Sequence, residues 1–202
     1  MGLAVYTAAT ENPITTAELK VHSHIDTSAD DAEVAALVSA ASQDTEAFLW
    51  RQLCTATWVL TLDMFPTDDY IDLPRPPLQA VTHVKYYDTA NVQQTLSTGS
   101  YTVDTSTEPG RIYIDRSTWW PSVYNRRNGI EIRFVAGYGA AAAVPEMIKQ
   151  SIRMKAAHWY ENREASIVGV SVSSTPLAAE RLDRLNAFRG DLNIYARGLT
   201  SP

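Results

Sequence analysis

Four histidines, one cysteine, two adjacent-carboxylate pairs and one Gly-x-Gly are the parts of this 202-residue chain whose types and spacing could do chemistry. A catalytic site needs a nucleophile, an acid or base, or a metal, converging in a cleft. Of His22, His24, His83 and His158, only the first two are close in sequence. On a helix, side chains two residues apart diverge by about 200°, so that pair cannot chelate one metal ion, and both read as surface or cap histidines. His158 and Glu161 are spaced as helix neighbours within His158-Trp159-Tyr160-Glu161-Asn162-Arg163-Glu164, but a zinc helix needs a second histidine. That run reads as a half-buried helix end, with Trp159 in the core and Glu161, Arg163 and Glu164 in water. Asp30-Asp31 and Asp68-Asp69 read as a helix N-terminus and a turn, not as an acid and base pair. Cys54 is alone, so it forms no internal disulfide, and its apolar surroundings make it a small buried hydrophobe.

Val135-Ala136-Gly137-Tyr138-Gly139 places Gly-x-Gly between a strand and a helix. It lacks the third glycine and the lysine of phosphate loops, and the strand before it belongs to an antiparallel pattern, so it reads as a flexible connector. Trp119-Trp120-Pro121 with Tyr124 lies beside Asp115, Arg116 and the basic doublet Arg126-Arg127. Such a cluster suits a sugar or base platform, though core and edge packing is the commoner use of these residues. Residue chemistry therefore assigns no catalytic, cofactor-binding or metal-ligating position and calls for no cofactor.

The elements that position these residues follow from composition and period. Hydrophobic residues make up 45% and charged residues 20% of the chain, well away from the composition of disordered chains. No stretch approaches the roughly 20 apolar residues of a membrane span. The start, Met1-Gly2-Leu3-Ala4-Val5-Tyr6, lacks a basic region and a sustained apolar core, so a cytoplasmic site of synthesis is expected. With 17 Lys and Arg against 23 Asp and Glu the net charge is −6, which argues against a general phosphate-gripping surface.

Thr15-Thr16-Ala17-Glu18 is a capping box opening a helix of about two turns anchored by Leu19, Val21 and Ile25. Ser28-Ala29-Asp30-Asp31 supplies a cap and two carboxylates to a second helix over 29–52, whose stripe is Val34, Leu37, Val38, Ala41, Thr45, Phe48, Leu49 and Leu53. From Cys54 the period becomes two, with Ala56, Trp58, Leu60 and Leu62 on one face. Further strands are expected at 70–73, 80–87, 92–96, 101–104, 111–115 and 129–135, six or seven in all, punctuated by Pro66 and Pro74-Arg75-Pro76-Pro77. Pro145 opens a third main helix with the stripe Ile148, Ile152, Ala156 and Trp159, ending near Arg163. Thr175-Pro176 opens a last helix carrying Leu177, Leu182, Leu185 and Phe188, stopped by Gly190. The fold class is α+β: a small helical bundle, 13–53 and 144–189, with an antiparallel β insertion at 54–136 between the second and third main helices and a tail at 190–202. The whole is expected to form one domain.

Several segments in this order resemble one family. They are Ile14-Thr15-Thr16-Ala17-Glu18-Leu19-Lys20, Asp30-Asp31-Ala32-Glu33-Val34, Trp58-Val59-Leu60-Thr61-Leu62-Asp63-Met64-Phe65-Pro66, and Ile71-Asp72-Leu73-Pro74-Arg75-Pro76-Pro77-Leu78. Downstream follow Val84-Lys85-Tyr86-Tyr87-Asp88, Tyr101-Thr102-Val103-Asp104, Glu108-Pro109-Gly110-Arg111-Ile112, Phe134-Val135-Ala136-Gly137-Tyr138-Gly139 and Val144-Pro145-Glu146-Met147-Ile148. Together, over 14–185, the chain resembles the head-tail connector (adaptor) proteins of long-tailed bacteriophages, in their gene-product-8-like branch. The resemblance implies a structural protein rather than an enzyme, located in the virion at the head-tail junction. It implies a homo-oligomeric, dodecameric ring docked beneath the portal protein, meeting a downstream neck or tail-completion protein and passing double-stranded DNA without sequence recognition. The chain departs from the family pattern at 186–202, which continues beyond the last helix.

A ring requires heterologous contacts, in which one patch meets a different patch on the neighbour. The apolar candidates are Pro76 and Leu78 at strand edges and Ile167, Val168, Val170 and Val172 in a loop. The tail crowds Leu192, Ile194, Tyr195, Arg197 and Leu199 into a terminus, which suits docking in a groove of the portal. The competing expectations are a carbohydrate-binding or glycan-processing module built on Trp119, Trp120 and Tyr124, and another neck or tail-completion protein.

Overall fold

The computed structural model describes residues 1–162, which form two compact units. The β unit contains residues 1–10 and 54–138, and the described part of the helical unit contains 11–53 and 139–162. The mixed α+β class is as expected, but helical and β parts are separate units and the first ten residues belong with the β part. The expected last helix and the tail lie outside the described residues.

In the β unit the strands are β1 (Gly2–Thr7), β2 (Ala56–Leu62), β3 (Tyr70–Leu73), β4 (Leu78–Tyr87), β5 (Gln93–Thr95), β6 (Tyr101–Asp104), β7 (Gly110–Ile114) and β8 (Ile130–Ala136). They pair antiparallel in a five-stranded sheet, β1-β2-β8-β4-β5, and a three-stranded sheet, β3-β7-β6. Alternation decides which face is buried. Ala56, Trp58 and Leu60 of β2 lie against Ala136, Phe134 and Ile132 of β8, in register. These residues share one apolar cluster with Ile71 and Leu73 of β3, Tyr101 of β6 and Ile112 of β7. Both sheets thus bury one face in a common core.

Strand β1 was not anticipated. Residues 2–7 show no alternation, and their place is decided by pairing: Leu3 faces Leu60 and Val5 faces Trp58 across the ladder to β2.

In the helical unit, α1 (Thr16–His22) starts with both bonds of the capping box: the Glu18 amide donates to Thr15 Oγ1 at 3.1 Å, and the Thr15 amide donates to the Glu18 carboxylate at 2.6 Å. Leu19 is fully buried, whereas Val21 is 77% exposed and does not anchor the helix.

Helix α2 (Asp31–Leu49) is shorter than the expected 29–52. Ser28 is not its cap; Asp30 occupies that position, and its carboxylate accepts a bond from Tyr160 Oη at 2.7 Å instead of closing the first turn. At the other end Trp50 adopts a left-handed φ of 53°, and the Glu46 carboxylate accepts the Leu53 amide and the Gln52 side chain, turning the chain out of the helix. The buried stripe is Val34, Val38, Ala41, Ser42, Thr45 and Leu49; Leu37 lies at its edge and Phe48 is exposed.

Helix α3 (Glu146–Glu161) packs against α2, and α1 touches both. Pro145 is its N-cap rather than its first residue, its carbonyl accepting the Ile148 and Lys149 amides. Ile148, Ile152 and Ala156 are buried as expected, but Trp159 is only half-buried; Ser151 and Lys155 occupy the interior instead. Lys155 Nζ reaches Asp44 at 3.0 Å and Thr45 Oγ1 at 3.2 Å, so its charge is compensated.

Candidate interaction surfaces

The groups that could do chemistry are dispersed into structural roles. His22 and His24 are exposed, His83 Nε2 lies 3.0 Å from the Glu131 carboxylate across the β4–β8 ladder, and His158 meets Asn162. Asp31 pairs with Lys20 at 2.6 Å, and the Asp68 and Asp69 carbonyls accept the Trp120 indole and the Ile114 amide. Among the described residues no three His, Cys, Asp or Glu side chains are grouped as a metal site, and no helix is long and apolar enough to cross a membrane. Cys54 is a buried free thiol.

The Gly-x-Gly is a backbone device. Gly137 has φ +123°, a region L side chains rarely adopt, and a Cβ there would lie 2.7 Å from the Cys54 carbonyl oxygen. Its amide donates to the Pro77 carbonyl at 2.9 Å and its carbonyl accepts Gln79 Nε2 at 2.7 Å. The turn is held by specific bonds rather than being a flexible connector.

The aromatic cluster is split between two uses. Trp120 stacks on Phe65, with ring centroids 4.8 Å apart and planes 9° from parallel, and its indole N–H donates to the Asp68 carbonyl at 2.9 Å. Neither its ring face toward Phe65 nor its donor is available to a ligand, which weakens the glycan platform. Trp119, by contrast, is 88% exposed and Tyr124 44% exposed. Arg126 lies 3.9 Å over the Tyr87 ring and donates to Asn91 Oδ1 at 3.2 Å, while Arg116 and Arg127 face water.

Of the two expected strand-edge contacts, Leu78 is corrected: it belongs to the β-unit core at 6% exposure, packed so closely on Gly110 that a Cβ there would stand 2.4 Å from its own. Pro76 keeps partial exposure. Ile167, Val168, Val170 and Val172, and the tail residues Leu192, Ile194, Tyr195, Arg197 and Leu199, lie outside the described residues. The helical unit carries an open groove between α1 and α3 lined by Ala17, Glu18, Val21, His22, Gln150 and Arg153, which the sequence did not signal. Arg153 bridges it, 3.3 Å from Glu18 and 2.7 Å from Glu146. These ion pairs hold Glu146 below the usual carboxylate range, through hydrogen bonds from Arg153 and then Lys149; Glu18 is lowered chiefly by the Thr15 amide.

A helical unit interrupted by an antiparallel β unit that holds large aromatic side chains such as Trp119 out in water suits an assembly component. The model of the head completion protein family matches residues 13–177, and the chain belongs to that family. It is a head-tail connector protein, a structural protein of the virion at the head-tail junction. Solved structures agree. A chain in the virion of the native gene transfer agent particle is 26% identical, with 92% of this chain and 94% of that one covered and a TM-score of 0.74. A chain in the neck of the empty gene transfer agent particle, computed with C6 symmetry, is 27% identical over 90% of this chain and 95% of that one, with a TM-score of 0.72. A chain in the neck of the native particle, computed with C12 symmetry, is 25% identical over 92% and 94%, with a TM-score of 0.70. Comparison with curated proteins gives no match.

Proposed function

We propose that this protein forms a closed dodecameric ring beneath the portal, continues the DNA channel toward the tail, and receives a downstream neck or tail-completion protein. It acts as a joint, not as an enzyme. The observation that carries this reading is the match, over 92% of the chain, to a chain of a neck computed with C12 symmetry. The net charge of −6 fits a channel through which DNA must slide, because a surface poor in cations does not neutralise many phosphates at once. Pro76 and the apolar residues Ile167, Val168, Val170 and Val172 are assigned to contacts between copies. Leu192, Ile194, Tyr195, Arg197 and Leu199 are assigned to a groove of the portal, where many copies engaging together make weak individual contacts firm.

The test is removal of residues 191–202. Truncated protein that stays folded but no longer joins portal-containing heads supports portal docking. Normal attachment refutes it, and loss of folding shows that the tail packs on its own helical unit. Particle imaging of the intact chain, with ring symmetry read from the neck, checks the stoichiometry.

A further inference from the structure

The loop between β7 and β8, residues 115–128, has no regular secondary structure yet is pinned along its length. The Asp115 carboxylate accepts the Ser117 amide and hydroxyl, both at 2.8 Å. The Trp120 ring is stacked on Phe65, the Tyr124 amide donates to the Tyr87 carbonyl at 3.0 Å, and the Asn128 amide donates to Asp63 at 2.7 Å. Between these anchors the loop holds Trp119 out into water at 88% exposure, with Tyr124 half-exposed and Arg116 and Arg127 exposed. Trp, Tyr and Arg are the residue types that dominate interface energies, and a loop already fixed loses little further freedom on docking.

Charge selects the occupant. The loop carries three arginines and one aspartate in a chain of net charge −6. The opposite pattern occurs at the approach to α2, where Asp26, Asp30, Asp31 and Glu33 fall within eight residues, with Lys20 paired to Asp31. Asp26 and Asp31 are exposed. A cationic aromatic patch and a distinct acidic patch on one chain are what a heterologous, ring-closing contact needs.

We propose that the 115–128 loop of one copy docks, through Trp119, Tyr124, Arg116 and Arg127, on the acidic 26–33 segment of the next copy. The proposal rests on the ring reading above and adds the surfaces that close the ring. Duplex DNA is the weaker occupant, because its stacked bases offer Trp119 no exposed face.

The experiment uses the full chain in assembled particles, with Trp119 replaced by the photo-crosslinking residue p-benzoylphenylalanine. Irradiation should give multiples of the chain, with the crosslinked peptide inside 26–33. Separately, Arg116→Glu with Arg127→Glu should cut incorporation into necks about tenfold or more, and adding Asp26→Arg with Asp31→Arg should restore it. Crosslinks only to another virion protein, to DNA or to another segment of the neighbour overturn the proposal, as does full incorporation of the charge-reversed chain. Those outcomes leave the ring intact. A wild-type chain that is found in particles without a ring overturns the ring reading and this contact together.

Discussion

At the scale of single residues, the carboxylates are occupied by caps and turns, and this fixes how the protein responds to acid. Glu18 and Glu146 have carboxyl groups lowered below the ordinary value of 4.5, the first mainly by the Thr15 amide and the second by Arg153 and Lys149. A carboxylate lowered in the folded state stabilises the fold above that value, and the contribution is lost as pH falls through the folded value. Arg153→Met should therefore flatten the acid limb of a stability-against-pH curve below the ordinary carboxyl value of 4.5, followed by chemical denaturation. Thr15→Ala, which deletes the cap of α1, should cost about 1 kcal/mol in the same measurement. Gly137→Ala meets both a positive φ and the Cys54 carbonyl, so it should destabilise by more than the ~1 kcal/mol that a glycine exchange gains at a compatible site.

At the scale of elements, the helical unit is held by the stripe of α3 on α2, and the interior is more polar than its sequence suggests. Ile152, fully buried, should lose about 2 to 5 kcal/mol on replacement by Ala. Trp159→Ala should cost less than the ~3 kcal/mol lower bound of a buried tryptophan, because the ring is only half-buried. Lys155 offers a sharper contrast. Its ammonium is buried while its partner Asp44 is 54% exposed, so Lys155→Met, which keeps the aliphatic stem and removes the desolvated charge, should be neutral or stabilising. A fall in melting temperature on Lys155→Met would show that the ion pair outweighs its desolvation.

At the scale of the whole molecule, the ring proposed above must hold neighbours without holding DNA. The intact protein at physiological salt should not retard duplex DNA in a gel at about 10 μM, since the non-specific term needs many cationic contacts and this chain has an acidic excess. Retardation that weakens steeply with added salt would mean that its cations are gathered on one phosphate-binding face.

The sequence determined the local elements because each carried its own signal. The capping box named the start of α1, and the 3.6-residue period named α2 and α3. Period two placed β3 and β6 at their observed limits, 70–73 and 101–104. The order of those segments also carried the family resemblance, because spacing between elements survives where no catalytic motif exists. Tertiary structure alone decided the rest. Residues 2–7 have no alternation to read, and became β1 only because β2 offered an edge with unpaired backbone groups. Phe48 and Trp159 obey the helical period, yet both stay partly exposed, because period fixes a face and not the width of the contact. Leu78 and Trp119 are the clearest pair. Both are large apolar residues beside turn signals, but Leu78 is closed over by Gly110 on a distant strand, while Trp119 is held in water by its neighbour's stack on Phe65. Burial is a property of long-range packing, which single-chain periodicity does not encode.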